Sequence, residues 1–236
     1  MDLGLTGRVA VVTAASKGLG RASAEALAAE GAKVVLNSRN AVLLEEVAAG
    51  MEDALVVPGD VGDPDLPAQL VQAAVDRWGR VDVVVANNGG PPSGRALDVD
   101  DADLAAAFDA NMLASVRLAR AAVPHMRAAG WGRICCITSV AVRQPIPDLA
   151  LSNAARAALW AWAKTAAADL ADDGITVNLA CPGLHATDRM VERGVTGRAG
   201  DPADFGKVVA FLCSEPAGFV SGIAMGVDGA AVPGLL

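Results

Sequence analysis

Tyrosine is absent from all 236 residues, and aromatic side chains make up only 3% of the chain. This absence excludes every mechanism that needs a phenol as acid, nucleophile or stacking platform. Positive charge is also short: 19 Lys and Arg stand against 27 Asp and Glu, a formal net charge of −8. A nucleic-acid partner is therefore not expected, because such proteins carry a basic footprint. Cysteine is sparse. Cys135, Cys136, Cys181 and Cys213 show no CxxC or Cys/His spacing, so neither a metal site nor a disulfide framework is expected, and the thiols read as reduced and buried. No run approaches the roughly 18 apolar residues of a spanning helix, and the N-terminus lacks a basic segment ahead of a hydrophobic one. These absences predict a cytoplasmic protein with no membrane partner.

What is present is hydrophobic (53%) and regularly alternating. Short β-branched runs are expected as strands at Val9–Thr13, Lys33–Asn37, Ala54–Val57, Asp82–Ala86, Arg133–Ser139, Thr176–Ala180 and Ile223–Val227. Ala/Leu-rich amphipathic stretches between them predict helices near 18–30, 40–50, 64–78, 100–129, 149–173 and 202–214. Strand–helix alternation of this kind is the signature of a parallel sheet, and near-continuous apolar strands imply that both its faces are covered. No linker or repeat interrupts the alternation, which predicts one domain over residues 1–236. The Gly-Pro-rich segment 89–94 directly follows a strand and is expected as a ligand-side loop.

Residues Thr13 to Gly20, TAASKGLG, join the first strand to the first helix. Gly18 and Gly20 let backbone approach a pyrophosphate, and the helix N-terminus offers free N–H groups and a positive dipole. The second strand ends Asn37-Ser38-Arg39, without the acid that grips ribose hydroxyls in an NAD-type site. Arg39, joined by Lys17 from the glycine loop, can instead meet a 2′-phosphate, which favours NADP(H).

These motifs resemble the classical short-chain dehydrogenase/reductase family over about Leu5 to Val232. The family's TGxxxGxG is matched by Thr13 to Gly20, with Ala14 in place of the first glycine; Ala86-Asn87-Asn88-Gly89 resembles NNAG, and Asp60-Val61 the adenine-contacting position. Pro182-Gly183, followed by Thr187, resembles the segment that closes over the nicotinamide. The resemblance implies a Rossmann-like, doubly wound, seven-stranded parallel sheet with helices on both faces, binding NADP(H) as a homotetramer or homodimer. On it, Thr13, Ser16, Lys17, Gly18, Leu19, Gly20, Arg39, Asp60, Val61, Asn87, Gly89, Pro182, Gly183 and Thr187 are the expected cofactor residues. The nearest likeness is to 3-oxoacyl-acyl-carrier-protein reductases, in a subgroup with an altered active site. The implied substrate is a small-molecule or acyl-carrier-linked carbonyl compound.

The alteration is specific. The family moves a proton with Asn, Ser, Tyr and Lys; Asn111 and Ser139 resemble the first two. The tyrosine position, thirteen after Ser139, is Ser152, and the lysine position, four further on, is Arg156. Positions 152 and 156 still share a helix face. A serine hydroxyl is a much weaker acid than a phenol, and an arginine does not relay protons as lysine can. It can still hold ribose hydroxyls or stabilise an oxyanion. Asn111, Ser139, Ser152 and Arg156 are the expected catalytic set.

No other residue is expected to replace the missing acid. Lys164 lies about 12 Å beyond Arg156 along the same helix. His185 reads as a solvent-facing loop histidine, with catalysis as its alternative, and His125 as a surface residue. Arg143 and Asp148 are expected as solvated loop charges near the substrate mouth. One of Trp160 and Trp162 is expected to point inward and the other towards a neighbouring subunit. The segment 188–200 forms a shorter substrate lid than in most relatives. Three functions remain open on the sequence: an NADPH-dependent carbonyl reductase, a non-redox lyase, isomerase or cyclase, and a non-catalytic NADP(H)-binding oligomer.

Overall fold

The computed structural model describes residues 1–192 and 194–234. Seven strands form one all-parallel sheet: β1 (Val9–Val12), β2 (Lys33–Leu36), β3 (Ala54–Val56), β4 (Val83–Ala86), β5 (Gly132–Ile137), β6 (Ile175–Pro182) and β7 (Ala224–Val227). Their spatial order is β3-β2-β1-β4-β5-β6-β7. The chain reverses its winding between β1 and β4, and in open α/β sheets ligands bind in the crevice at that switch point, beyond the carboxyl ends of the strands.

The strands sort their side chains with period two. Val9 and Val11 enter one apolar cluster, while Ala10 and Val12 enter the other. On the first face, α3 (Leu66–Trp78), α5 (Ala114–Ala129) and α6 (Ala150–Asp169) cover the sheet. On the second lie α1 (Gly18–Ala29), α2 (Ala41–Ala48) and α8 (Pro202–Leu212). Local sequence sets the helix ends. Asn40 and Asp201 cap α2 and α8 through their side chains, and Gly79 and Gly130 close α3 and α5 at positive φ.

Two differences from the expected elements bear on function. The single helix anticipated over 100–129 is α4 (Asp101–Phe108) and α5 separated by a π-helical turn, Asp109–Leu113, in which Ala114 N–H donates to Asp109 O. The wider turn accommodates one extra residue, a device that recurs at functional sites and that 3.6-residue periodicity cannot reveal. Within 188–200 there is also a short helix, α7 (Asp188–Glu192), although Arg193 in that segment lies outside the described residues.

The amino end of the sheet is closed by Asp82, fully buried just before β4. Its carboxylate accepts from Val9 N at 2.8 Å, Arg80 Nε at 2.8 Å and Arg80 Nη2 at 2.6 Å, and Arg8 Nη1 approaches at 3.5 Å. Trp160 and Trp162 both rest, half-buried, against the α3/α5/α6 cluster. Two residues apart on a helix, they flank the buried stripe of Leu159 and Ala163 from opposite sides. No described helix is long and apolar enough to cross a membrane.

Candidate active site

The carboxyl ends of the strands open into one cleft of about 1090 Å³. The β1–α1 loop forms its nucleotide end. Gly18 sits at φ +59 with only the Thr187 side chain near, so its backbone stays accessible. Gly20 has a different task. A Cβ there would collide with Ala14 O and lie 2.6 Å from Asn87 Nδ2, so the glycine lets α1 dock against the end of β4. Thr13 works alongside it, its hydroxyl donating to Asn87 O at 2.8 Å and accepting from Asn87 N at 2.9 Å. Thr13 and Gly20 therefore shape the cleft without lining it, because both are taken up in joining β1 to β4. The other expected cofactor residues, Ser16, Lys17, Gly18, Leu19, Arg39, Asp60, Val61, Asn87, Gly89, Pro182, Gly183 and Thr187, all line it. Ala14, where the family has glycine, holds φ +48, a left-handed conformation that costs an L-residue about 1 kcal/mol.

The cations at this end are loosely held. Lys17 meets Glu192 at 3.4 Å and Arg39 meets Asp60 at 3.8 Å, with the Arg39 side chain 82% exposed. Exposed pairs of this kind contribute little, so both cations can exchange their acids for a bound phosphate. Among the described residues, the fit to a dinucleotide rests on the glycine loop, the cations Lys17, Arg39, Arg156 and Arg189, and only Asp60 and Asp188 as lining acids. A cleft positive on balance, in a chain of net charge −8, suits a pyrophosphate.

At the other end, β5 and α6 bring the expected catalytic residues together. Ser139, just past β5, accepts from Ala141 N at 3.1 Å. Ser152 Oγ accepts from Arg156 Nε at 3.3 Å, and Arg156 Nη1 donates to Ile137 O at 3.0 Å. The i,i+4 spacing on α6 thus brings the two side chains into contact. Burial, followed by the charge of Arg189, lowers the Arg156 guanidinium to about 10, which leaves it charged at neutral pH. Asn111 is buried in the π-helical turn and does not reach the cleft surface, which Ala110 lines instead. Its Oδ1 has no hydrogen-bond partner among the described residues.

Several expectations change here. His185 is not solvent-facing: it is 7% exposed, with its ring edge-on to Phe205 at 5.1 Å and Nδ1 3.3 Å from Gly183 O. A parallel bridge between His185 and Gly200 folds the loop over it, a long-range contact that no local pattern announces. Arg143 is not a free loop charge, since its Nη2 donates to Ala224 O. Neither Arg143 nor Asp148 lines the cleft; their neighbours Gln144 to Pro147 do. Lys164 packs against Gly222, outside the cleft, as its distance along α6 requires. All four cysteines are buried and free. Arg189, two residues after Thr187, also lines the cleft, and an isolated charge in a lid segment carries no local signal of that in the sequence.

The family model described as enoyl-(acyl carrier protein) reductase matches residues 13–230. A 3-oxoacyl-[acyl-carrier-protein] reductase of Synechocystis sp. is 35% identical over 243 residues, covering 97% of this chain and 98% of that protein. Versicolorin reductase 1 of Aspergillus parasiticus is 35% identical over 256 residues, with coverages of 96% and 97%. The L-sorbose reductase of Gluconobacter frateurii, solved with NADPH and L-sorbose, superposes with a TM-score of 0.92 at 32% identity, covering 97% of this chain and 98% of that one. The match across nearly the whole length, together with the seven-stranded sheet and its glycine loop, makes this chain a member of the short-chain dehydrogenase/reductase family of oxidoreductases.

Proposed function

We propose that the chain is an NADPH-dependent carbonyl reductase in which Ser139, Ser152 and Arg156 take over the work of the family's tyrosine and lysine. The observation that carries this reading is the Arg156–Ser152 contact at the deep end of the same cleft that holds the glycine loop. When bound there, the reduced nicotinamide supplies the hydride.

The protein's part is to bind and polarise a carbonyl oxygen. Both serine oxygens already accept hydrogen bonds, Ser139 from Ala141 N and Ser152 from Arg156 Nε, which leaves each O–H free to donate. Two hydroxyl donors beside a charged guanidinium make a site for a developing alkoxide in a sheltered setting. A serine is too weak an acid to surrender its proton in the manner of a phenol, so the proton comes from water.

The preference for NADP(H) is supported by Lys17 and Arg39, by the lack of an acid at the end of β2, and by the NADPH in the Gluconobacter relative. We read residues 1–236 as one dinucleotide-binding domain, located in the cytoplasm, where buried free thiols stay reduced. A homotetramer or homodimer is carried over from the family. The test is a titration with NADPH and NADH, followed by turnover on a panel of oxoacyl thioesters, oxo acids and small ketones. About tenfold or greater preference for NADPH is expected from a charge-assisted phosphate contact. NADPH binding with no turnover on any member would refute the reductase reading, and conversion without a change in nicotinamide absorbance would indicate lyase or isomerase chemistry.

A further inference from the structure

Among the described arginines, Arg133 and Arg156 are buried without a carboxylate partner, and of the two only Arg156 lines the cleft. Arg8 and Arg80 are paired with Asp82, and Arg117 with Asp109. Arg133 is buried too, but it donates to the carbonyl oxygens of Ser214, Gly132 and Gly174 and lies 4.2 Å over the Trp131 ring. Arg156 is 7% exposed and uses two of its donors on neutral oxygens, Ser152 Oγ and Ile137 O, and no described carboxylate pairs with it. A buried cation without a counter-charge is costly, and a guanidinium has five N–H donors. Its remaining donors belong to a cleft-lining side chain.

A second guanidinium is brought to the same cleft. Arg189 lies across Gly90, its Cζ 3.0 Å and Nη1 3.1 Å from where a Cβ on residue 90 would stand. Glycine at 90 is therefore what lets α7 place this side chain over the cleft floor. The walls around it are apolar, supplied by Pro91, Ile146, Leu149, Leu184 and Met190. They are also braced: Gly94 N donates to Asp148 O and Ala150 N to Gly94 O, which stitches the Gly-Pro-rich loop to the start of α6.

We infer that the substrate is an oxo acid with a free carboxylate beside the carbonyl, seated on Arg156 under Arg189, with an apolar chain along the walls, rather than an oxoacyl thioester whose acid is masked. The inference rests on the reductase reading for the fate of the carbonyl, but not for the seating of the anion. An α- or β-oxo acid places a carboxylate oxygen and the oxo oxygen side by side, the pattern that a planar guanidinium grips with two parallel bonds. Ser139 and Ser152 then donate to the oxo oxygen, and Arg156 acts on both groups at once.

The test is calorimetric titration with N-hexyloxamate, a redox-inert oxo-acid mimic, and with its uncharged ethyl ester, on the free protein and with NADP+ present. The two probes share the same tail, so their difference reports the carboxylate. The acid is expected to bind about tenfold or more tightly than the ester, as a charge-assisted bond predicts. Arg156→Met should erase the discrimination, and Arg156→Lys should retain part of it. Arg189→Gln, with its fold checked by circular dichroism and melting temperature, should weaken the acid and leave the ester unchanged. Equal binding of acid and ester by the unaltered protein would overturn the inference, as would an Arg189→Gln variant that loses affinity only for NADP+. Failure to bind NADP+ alongside clear acid discrimination would remove the reductase reading and leave the anion site standing.

Discussion

Asp82 at the amino end of the sheet and Arg156 at its carboxyl end are both buried charges, and they are satisfied in different ways. At the amino end, Asp82 is fully buried and surrounded by Arg80, Arg8 and the Val9 amide, so its carboxylate is satisfied within the fold. At the carboxyl end, Arg156 is almost as buried, yet it meets only a serine hydroxyl and a backbone carbonyl. The first arrangement serves stability. The second keeps an electrostatic cost that a bound anion or a developing alkoxide would relieve.

The contrast can be broken at either end. Asp82→Ala should be the most damaging change, because it leaves Arg80 and the Val9 amide without their acceptor; a loss of about 3–5 kcal/mol in urea-unfolding free energy is expected. A loss below about 1 kcal/mol would show that this end does not depend on the carboxylate. Arg156→Met should do the reverse, lowering kcat/KM by roughly 10²–10³-fold through loss of oxyanion stabilisation. Its unfolding free energy should stay level or rise by about 1 kcal/mol, because a buried unpaired charge has been removed. If both stability and activity fell together, Arg156 would belong with Asp82 as a structural charge.

Smaller changes sharpen the same division at the nucleotide end. Arg39→Ala should weaken NADPH by about 1.5–3 kcal/mol, roughly tenfold or more, and leave NADH unchanged, as measured by fluorescence titration. Equal losses for both cofactors would mean that Arg39 does not meet the phosphate. Ala14→Gly should have the smallest effect. It relieves a left-handed alanine and should add about 1 kcal/mol to stability, and an unchanged melting temperature would show that the loop carries no strain.

Much of this was legible in the sequence, for identifiable reasons. All seven strands were expected within a few residues, because a strand covered on both faces is apolar along its length and is bounded by turn residues. Gly18 was readable as a backbone-approach residue because its need for positive φ is local. Gly20 was readable only in part: its presence in the loop is a motif, but the lack of room for a Cβ beside Asn87 Nδ2 depends on where β4 arrives. The π-helical turn at Asn111 and the burial of His185 against Phe205 were illegible, since neither changes the local pattern of apolar residues. Arg189 was equally silent, because its importance comes from lying over Gly90, ninety-nine positions away in the chain.

The missing tyrosine marks the boundary between the two kinds of information. By itself, the sequence determined the alternation of strands and helices, the phosphate loop, and the exclusion of a phenol acid, because composition and short-range spacing are properties of the chain alone. Only the tertiary structure decided which charges are paired. That Asp82 has its arginines while Arg156 has only neutral partners depends on which distant segments the folded sheet brings together, and so on packing rather than on residue type.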